Sequence, residues 1–222
     1  MDGSTADAPW RGIAARFLPN RTHYWYVRSK FATDPLYDGV CAALIGMRAP
    51  LLDLGCGIGL LAHCLRAKDI DLDYFGVDND AGKIAAARAA ADRAGVTAAR
   101  FECMDLATSF PAHSGNVCLL DVLQYLEEPE RSALLEAALE RVAPGARLVL
   151  RTGVEDGNWR THVARGVDRA ASWARWMNTG PKRYPTRAAL ESAFARHGMR
   201  ATWHPSWGRM PFNNWLVVAE RP

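Results

Sequence analysis

The sequence predicts a doubly wound α/β fold built on a mostly parallel, seven-stranded sheet. Between residues 49 and 152, short apolar runs alternate with helical stretches. This alternation is typical of parallel strands joined by right-handed crossovers. After residue 186 one helix is followed by two strand-like runs with no crossover between them. These last two runs therefore indicate an antiparallel hairpin at the edge of the sheet.

Each predicted strand is a short apolar run, and most pairs of strands have a helical stretch between them. The strands are Pro50–Leu54, Leu72–Val77, Ala98–Glu102, Val117–Asp121 and Arg147–Thr152, and the helices are Leu60–Ala67, Ala81–Ala94 and Pro129–Val142. Thr186 is expected to cap a helix that ends near His197. The hairpin consists of Met199–His204 and Asn214–Glu220.

A helical cap is predicted ahead of the sheet, over residues 1–47. Residues 10–46 have helical spacing interrupted by Pro19 and Pro35, which indicates two or three helices. Residues 48–222 form the main domain. Within it, residues 153–185 follow the fifth strand as an insertion, which we expect to be helical.

Composition narrows the class of protein. A net charge of +3 over 222 residues is far from the basic excess of a dedicated nucleic-acid binder. The five cysteines are odd in number and form no C-x-x-C pair, which argues against a disulfide framework or zinc site and favours a reducing, cytoplasmic location. No signal peptide or membrane span is expected. Composition leaves open whether the protein is a monomer or a dimer.

The most specific motif runs from Asp53 to Gly59. An apolar strand ends at an acidic residue, and Gly55, Gly57 and Gly59 then lead into a helix. Glycines allow a tight turn and a close approach of the backbone to a ligand. A dinucleotide site spaces its glycines G-x-G-x-x-G, whereas the spacing here is G-x-G-x-G. Because a carboxylate at position 53 would repel a pyrophosphate, the motif favours a nucleoside ligand without phosphates.

Three further aspartates end predicted strands. Asp78 follows the glycines at the distance where such folds place a carboxylate on ribose hydroxyls, and Asp80 is better placed to cap the next helix. Asp105 could accept a hydrogen bond from an adenine amino group beside the apolar Leu106. Asp121 precedes Gln124 and Tyr125 at the same edge of the sheet, where such folds bind ligands.

Together these segments resemble the four leading motifs of class I S-adenosylmethionine-dependent methyltransferases, which have a Rossmann-like fold. The resemblance covers about residues 48–152 closely and the terminal hairpin more loosely. It implies S-adenosylmethionine as the cofactor and S-adenosylhomocysteine as its product. It also implies that the glycine loop lies under the methionine part, Asp53 beside the amino group, Asp78 on ribose and Asp105 on adenine. Further cofactor contacts are expected at Cys56, Asn79, Leu106 and Asp121.

The acceptor of the methyl group is less clearly indicated. Amino-methylating nucleic-acid enzymes of this fold have Asn or Asp followed by Pro-Pro and an aromatic residue, which the segment after Asp121 lacks. A small or carrier-bound organic acceptor is therefore favoured, with an oxygen of an aromatic or polyketide-like compound as the methylated atom. The run from Trp207 to Trp215 resembles, more weakly, methyltransferases of bacterial aryl-polyene and polyketide pathways.

Two segments are expected to complete the site. In the cap, Tyr26 and Lys30 share a helical face, and Lys30 or Arg28 could meet the cofactor's carboxylate; an amphipathic helix packed on the sheet is the alternative. The insertion is expected to act as a lid on the acceptor side. Its Trp159, Trp173 and Trp176 either pack the lid or offer a flat surface to an aromatic or polyene acceptor. The predicted acceptor contacts are Gln124, Arg151, Trp159 and Trp176, and Arg151 could bind an anionic group.

Tyr125, His162 and Tyr184 are the candidate bases or positioning groups for the transfer. Many small-molecule members of the family have His where this chain has Gln124, so a base at that position is not expected. No metal-binding cluster is visible in the sequence, which predicts a metal-independent reaction. Three alternatives remain: a silent partner that binds the cofactor without turnover, an RNA methyltransferase and a dinucleotide oxidoreductase.

Overall fold

The computed structural model describes residues 9–155, 184–208 and 213–222. Seven strands form one sheet in the order β3-β2-β1-β4-β5-β7-β6. They are β1 (Leu51–Leu54), β2 (Tyr74–Asp78), β3 (Ala99–Cys103), β4 (Asn116–Leu120), β5 (Arg147–Gly153), β6 (Arg200–Pro205) and β7 (Asn214–Glu220). β1 to β5 pair in parallel, whereas β7 runs antiparallel between β5 and β6. The predicted fold and its terminal hairpin are confirmed.

The described helices agree with the predicted ones to within a few residues at their ends. They are α1 (Pro9–Ala15), α2 (Arg21–Thr33), α3 (Leu36–Leu44), α4 (Leu60–Ala67), α5 (Ala81–Ala94), α6 (Glu130–Glu140) and α7 (Arg187–Arg196). The breaks that separate α1, α2 and α3 contain Pro19 and Pro35, as expected. Most of the predicted insertion, residues 156–183, lies outside the described residues. Within the described ranges no helix is long and apolar enough to cross a membrane.

Three polar side chains begin helices by accepting hydrogen bonds from free backbone N–H groups. Asn20 caps α2 through His23 N at 3.0 Å, and Thr186 caps α7 through Ala189 N at 3.2 Å. Asp80 caps α5 by accepting from the backbone N–H groups of residues 82 and 83. The predicted caps at Asp80 and Thr186 are confirmed, so Asp78 is not needed for that task.

The apolar core consists of two clusters, one for each face of the sheet. Leu51 faces the first cluster and Leu52 the second, because successive residues of a strand point to opposite faces. The cap helices supply Val27 and Leu44 to the first cluster, where both side chains are fully buried. The cap is therefore packed on the sheet through the same core that holds α4 in place.

The direction in which the chain adds strands reverses at the β1–β4 pair. β2 and β3 lie on the side of β1, whereas β5, β7 and β6 lie on the side of β4. In such sheets the loops at the carboxyl ends of the strands diverge at the reversal and open a crevice. Leu54 pairs with Val77 on one side and with Leu119 on the other, so β1, β2 and β4 end at nearly the same level. The residues that follow these three strands are consequently brought together.

Candidate active site

The glycine loop after β1 uses its three glycines in two ways. Gly55, Gly57 and Gly59 all have positive φ angles, which other residues adopt only at a cost. A Cβ atom on Gly55 would lie 2.5 Å from the Val122 side chain, and one on Gly59 would lie 2.6 Å from the Phe101 ring. A Cβ on Gly57 would meet nothing within 4 Å. Gly55 and Gly59 thus allow close packing, while Gly57 borders open space that a ligand can occupy.

Asp78 holds this loop at the end of β2. Its Oδ2 accepts a hydrogen bond from Gly57 N at 2.9 Å, and its Oδ1 accepts one from Asp80 N at 3.0 Å. The side chain is buried, yet each carboxylate oxygen can accept a further bond. Asp78 is placed to bind a ligand at Gly57, and its contact with ribose stays a prediction.

Asp53 lies in β1 and is only 2% exposed. The Tyr74 hydroxyl of β2 donates a hydrogen bond to its Oδ2 at 2.5 Å. Burial raises the pKa of Asp53 to about 7, although the bond from Tyr74 acts to lower it. Tyr74 was not predicted as a site residue, because an aromatic residue in a predicted strand is most simply explained as part of the core.

The remaining predicted cofactor contacts differ in exposure. Asp105 is exposed, and its Oδ1 accepts from Ala107 N at 3.0 Å in the turn after β3. Leu106 is half-buried, Asn79 is exposed at the end of β2, and Cys56 is half-buried in the glycine loop. Burial raises the pKa of the Cys56 thiol well above its ordinary value, which favours a neutral packing role.

Four aspartates lie at the carboxyl edge of four adjacent strands, β3, β2, β1 and β4. Asp53 and Asp78 belong to the ends of β1 and β2, Asp105 follows β3, and Asp121 follows β4. A row of carboxylates opposes a phosphate-bearing ligand and favours a cationic one. S-adenosylmethionine carries an ammonium and a sulfonium, so the charge of these residues and the open space at Gly57 fit that cofactor.

Helix α2 lies across this edge. At its first turn His23 approaches Asp80: burial lowers the pKa of His23, and the Asp80 carboxylate acts in the opposite direction. At its last turn Lys30 Nζ lies 3.5 Å from Asp121 Oδ2. Seven helical residues span about 10 Å, and the two strand spacings from β2 to β4 also amount to about 10 Å. The helix therefore bridges the ends of β2, β1 and β4.

Four charged side chains fasten the end of α2 to the sheet. Asp34 Oδ2 lies 2.7 Å from Lys30 Nζ and 2.8 Å from Arg151 Nη1. Asp121 Oδ2 lies 2.7 Å from the same Arg151 nitrogen. Arg151 is only 3% exposed, and its buried Nε has no hydrogen-bond partner in the described part of the chain. Asp34 was not predicted as a site residue, because a carboxylate before a proline reads as a turn residue.

The charges in this network balance, since two cations face two carboxylates. Burial acts to lower the pKa of Lys30, but the carboxylates, Asp121 first, outweigh it and raise the pKa. Burial acts to raise the pKa of Asp34, but Lys30 and Arg151 lower it below its usual range. Lys30 and Asp34 are therefore charged at neutral pH, as is Arg151, whose pKa burial acts to lower but the carboxylates of Asp121 and Asp34 raise. Arg28, the alternative contact for the cofactor's carboxylate, instead stacks on Trp25, with its guanidinium 5.0 Å from the ring centre.

Asp121 adopts a strained backbone conformation at the end of β4. Its φ angle is +58°, which is rare for a residue other than glycine. Its backbone N–H donates to Arg151 O at 2.8 Å, and its Oδ2 is held by Arg151 and Lys30. No partner of Oδ1 is found among the described residues. Strained residues of this kind cluster at functional sites.

The predicted acceptor side lies at the ends of β4 and β5. Tyr125 is half-buried in a 3-10 turn, Leu123–Tyr125, directly after Asp121 and Val122. Tyr184 is half-buried against β5, where a Cβ on Gly153 would lie 2.4 Å from its ring. Gln124 is buried, and its Oε1 accepts from Thr152 Oγ1 at 3.3 Å. In the cap, Tyr26 is half-buried and packs against the first apolar cluster.

Three predicted acceptor-side residues lie outside the described residues. They are Trp159, His162 and Trp176. In the ranges that the structure does describe, no three His, Cys, Asp or Glu side chains are grouped so as to hold a metal ion.

Comparison with known families and structures agrees with this geometry. Residues 51–145 match a family model described as a methyltransferase domain. The match begins at the first residue of β1 and ends before β5, so it includes the glycine loop and all four aspartates. No curated protein matches the sequence.

Many solved structures share the fold. An O-methyltransferase family protein from Burkholderia thailandensis has a TM-score of 0.68 at 20% identity, over 93% of this chain. The magnesium protoporphyrin IX methyltransferase of Synechocystis PCC 6803, solved with bound S-adenosylhomocysteine, has a TM-score of 0.70 at 18% identity, over 96% of this chain and 93% of its own. The pyocyanin biosynthetic protein PhzM has a TM-score of 0.66 at 18% identity, over 96% of this chain. This chain spans 62% of the Burkholderia protein and 62% of PhzM.

Strand order, loop geometry, the row of aspartates and the matched domain all agree. S-adenosylmethionine is the cofactor that fits them. Residues 51–145 are thus a methyltransferase domain, and the fold is that of the class I S-adenosylmethionine-dependent methyltransferases.

Proposed function

We propose that this methyltransferase acts on a hydroxyl oxygen of a small aromatic or polyketide-like acceptor, either free or bound to a carrier protein. The observation that supports the proposal is that Asp121 and Tyr125 follow β4 and that Tyr184 lies against Gly153 at the end of β5, at the same carboxyl edge of the sheet as the glycine loop. Similar structures include an O-methyltransferase family protein, a magnesium protoporphyrin IX methyltransferase and a pyocyanin biosynthetic protein, which supports a small acceptor with a ring system.

For this reaction the protein must position the acceptor oxygen and accept the proton of its hydroxyl group. When bound, S-adenosylmethionine supplies a methyl group on a sulfonium, which is a good leaving group. Placing the acceptor oxygen in line with that methyl provides much of the rate. A hydroxyl must also lose its proton, and Asp121 Oδ1, Tyr125 or Tyr184 is placed to accept it or to orient the oxygen. Arg151 and Gln124 are the described groups that we propose as acceptor contacts, together with Trp159 and Trp176.

An acceptor panel with matched rings tests which atom is methylated. We would incubate the protein with S-adenosylmethionine and 4-hydroxycinnamate, 4-aminocinnamate or 4-methoxycinnamate, and identify products by mass spectrometry. Methylation of the hydroxyl compound alone is the expected result. Methylation of the methoxy compound would point to the carboxylate, and methylation of the amino compound would point to nitrogen.

The same assay separates the alternatives. A silent cofactor-binding partner would bind S-adenosylhomocysteine and give no product with any acceptor, including unmodified tRNA. An RNA methyltransferase would label tRNA and leave the cinnamates unchanged. Tyr125→Phe and Tyr184→Phe should each reduce the single-turnover rate while leaving S-adenosylhomocysteine affinity within about threefold, if they act on the acceptor.

The positive charge of the cap supports delivery of the acceptor on an acidic carrier protein. Residues 9–33 contain five cations and no carboxylate: Arg11, Arg16, Arg21, Arg28 and Lys30. Trp25 is 56% exposed beside Arg28, and Trp and Arg dominate binding energy at interfaces. A carrier-bound acceptor should therefore be methylated faster than the free one at low salt, and Arg21→Glu should remove the difference. Arg200→Glu on β6 makes the same charge change away from the cap and should not.

A cytoplasmic location belongs to the same proposal. All five cysteines are free thiols, and Cys103 is exposed. Exposed thiols persist in a reducing compartment.

A further inference from the structure

A tyrosine and an aspartate on neighbouring strands form a buried pair beneath the glycine loop. Asp53 of β1 is 2% exposed and Tyr74 of β2 is 3% exposed. In the register of the two strands Asp53 lies opposite Gly76. A Cβ on Gly76 would lie 2.9 Å from Tyr74 Cε1, so the missing side chain makes room for the phenol. The phenol thereby reaches Asp53 Oδ2 at 2.5 Å.

No ion pair holds Asp53 in the described part of the chain, although the residue is acidic and buried. The titratable groups that act on it from the surrounding elements are Tyr37 of α3, Cys56 of the glycine loop, Tyr74 and Asp78 of β2, and Cys118 of β4. Burial raises the pKa of the two phenols and the two thiols, so these four groups are neutral. Asp53 thus has one neutral donor on Oδ2 and no hydrogen-bond partner on Oδ1 among the described residues.

We propose that Tyr74 is a positioning residue for the cofactor's ammonium group, because it fixes Asp53 through Oδ2 and leaves Oδ1 for the cation. The inference rests on the proposed cofactor site. The ammonium supplies the positive charge that the pocket itself lacks. Binding of the amino-acid end of the cofactor and ionisation of Asp53 are then one coupled event.

Because of this coupling, the affinity for the cofactor should depend on pH in one direction. The cation favours the ionised carboxylate, so affinity is full above the pKa of Asp53, which is raised by burial to about 7. Below that pH a proton competes with the ammonium, and affinity falls by up to about tenfold for each pH unit. Removing the Tyr74 hydroxyl removes a hydrogen bond that favours the ionised form. The fall in affinity should then begin at a higher pH.

The test compares two ligands that differ at the methionine end. S-adenosylhomocysteine carries the ammonium, whereas 5′-methylthioadenosine has the same nucleoside and thioether without it. We would titrate both calorimetrically into wild type, Tyr74→Phe and Asp53→Asn between about pH 5.5 and pH 9. Circular dichroism on each variant establishes that it is folded at each pH.

The expected result is a pH-dependent affinity for S-adenosylhomocysteine in wild type, with its midpoint shifted upward in Tyr74→Phe. Asp53→Asn should bind that ligand weakly and without this dependence. 5′-Methylthioadenosine should bind all three proteins with equal affinity at each pH, which also controls for the titration of other groups such as His23. Superimposable pH profiles for wild type and Tyr74→Phe would overturn the inference. Failure of wild type to bind either ligand would overturn the cofactor site itself.

Discussion

Arg151 Nη1 and Asp34 Oδ2 meet at 2.8 Å, joining the fifth strand to the turn after α2. Asp34 also pairs with Lys30, and Arg151 with Asp121, so the contact belongs to a network that links the cap to the carboxyl edge. Removing one partner of a buried ion pair lowers the free energy of unfolding by more than the intact pair contributes, because the remaining charge is desolvated and uncompensated.

Asp34→Ala should therefore lower the free energy of unfolding by about 3 kcal/mol, as measured by urea denaturation. It should also weaken S-adenosylhomocysteine binding, since α2 is no longer fastened over the site. Asp38→Ala is the matched control, because Asp38 pairs with Lys68 at 2.8 Å on the surface. An exposed pair contributes at most about 1 kcal/mol. Equal losses in the two variants would contradict a buried network.

Asp78 and Asp80 are two residues apart and have different tasks, which a pair of substitutions can separate. Asp78→Ala should reduce S-adenosylhomocysteine affinity about 100-fold, because hydrogen bonds to a charged group contribute about 1.5–3 kcal/mol. Asp80→Ala removes the cap of α5 and should cost about 1 kcal/mol of stability, with affinity nearly unchanged. Calorimetry and thermal unfolding measure the two effects. A comparable loss of affinity in Asp80→Ala would show that α5, and not Asp78, governs binding.

The glycine loop offers a second matched pair. Gly57→Ala places a methyl group in open space, so its stability cost is that of the positive φ angle alone, about 1 kcal/mol. Because that space is the proposed ligand site, affinity for S-adenosylhomocysteine should fall sharply. Gly59→Ala places its methyl 2.6 Å from the Phe101 ring and should unfold at a markedly lower temperature. If Gly57→Ala bound the ligand normally, the open space would not be the binding site.

Asp53 makes the ligand-free protein sensitive to pH. Its pKa is raised by burial from the ordinary 3.8 to about 7, so the folded state retains a proton that the unfolded chain has lost. The stability contributed by this proton is complete below pH 3.8 and is lost as the pH rises through about 7. Asp53→Asn has no proton to lose. Its stability relative to wild type should increase by about 1.4 kcal/mol per pH unit in that window.

Urea denaturation at several pH values, without ligand, measures the difference in the free energy of unfolding between Asp53→Asn and wild type. It should be constant above about pH 8, where Asp53 is ionised in both folded and unfolded states. Parallel stability curves for wild type and Asp53→Asn across the whole range would mean that Asp53 is not desolvated in the free protein.

The features that the sequence predicts well are local ones. The alternating strands and helices, the glycine loop and the caps at Asp80 and Thr186 each depend on residues only a few positions apart. A strand end followed by glycines and a helix start can be read from such a window. The ligand-facing ends of β1 to β4 were therefore predictable without any knowledge of long-range contacts.

The parts that sequence reasoning missed depend on distant partners. Asp34 and Arg151 are 117 positions apart, and Tyr74 reaches Asp53 only because strands 21 positions apart pair in a particular register. Lys30 was predicted to meet the cofactor's carboxylate, and its contact with Asp121 depends on how α2 packs on the sheet. Short-range patterns can suggest an i,i+4 pair such as Lys30 and Asp34, but they do not show which cation will face a carboxylate on a distant element.

The bridge made by α2 also constrains how this enzyme can diverge. Asp121 and Arg151, which we propose to border the acceptor, also anchor the cap. A substitution that adapts either residue to a new acceptor also loosens the cap over the cofactor, and must be matched by a change at Lys30 or Asp34. Acceptor specificity and the packing of the cap should therefore change together. Homologues with a different acceptor should differ at Asp121 or Arg151 and also at Lys30 or Asp34.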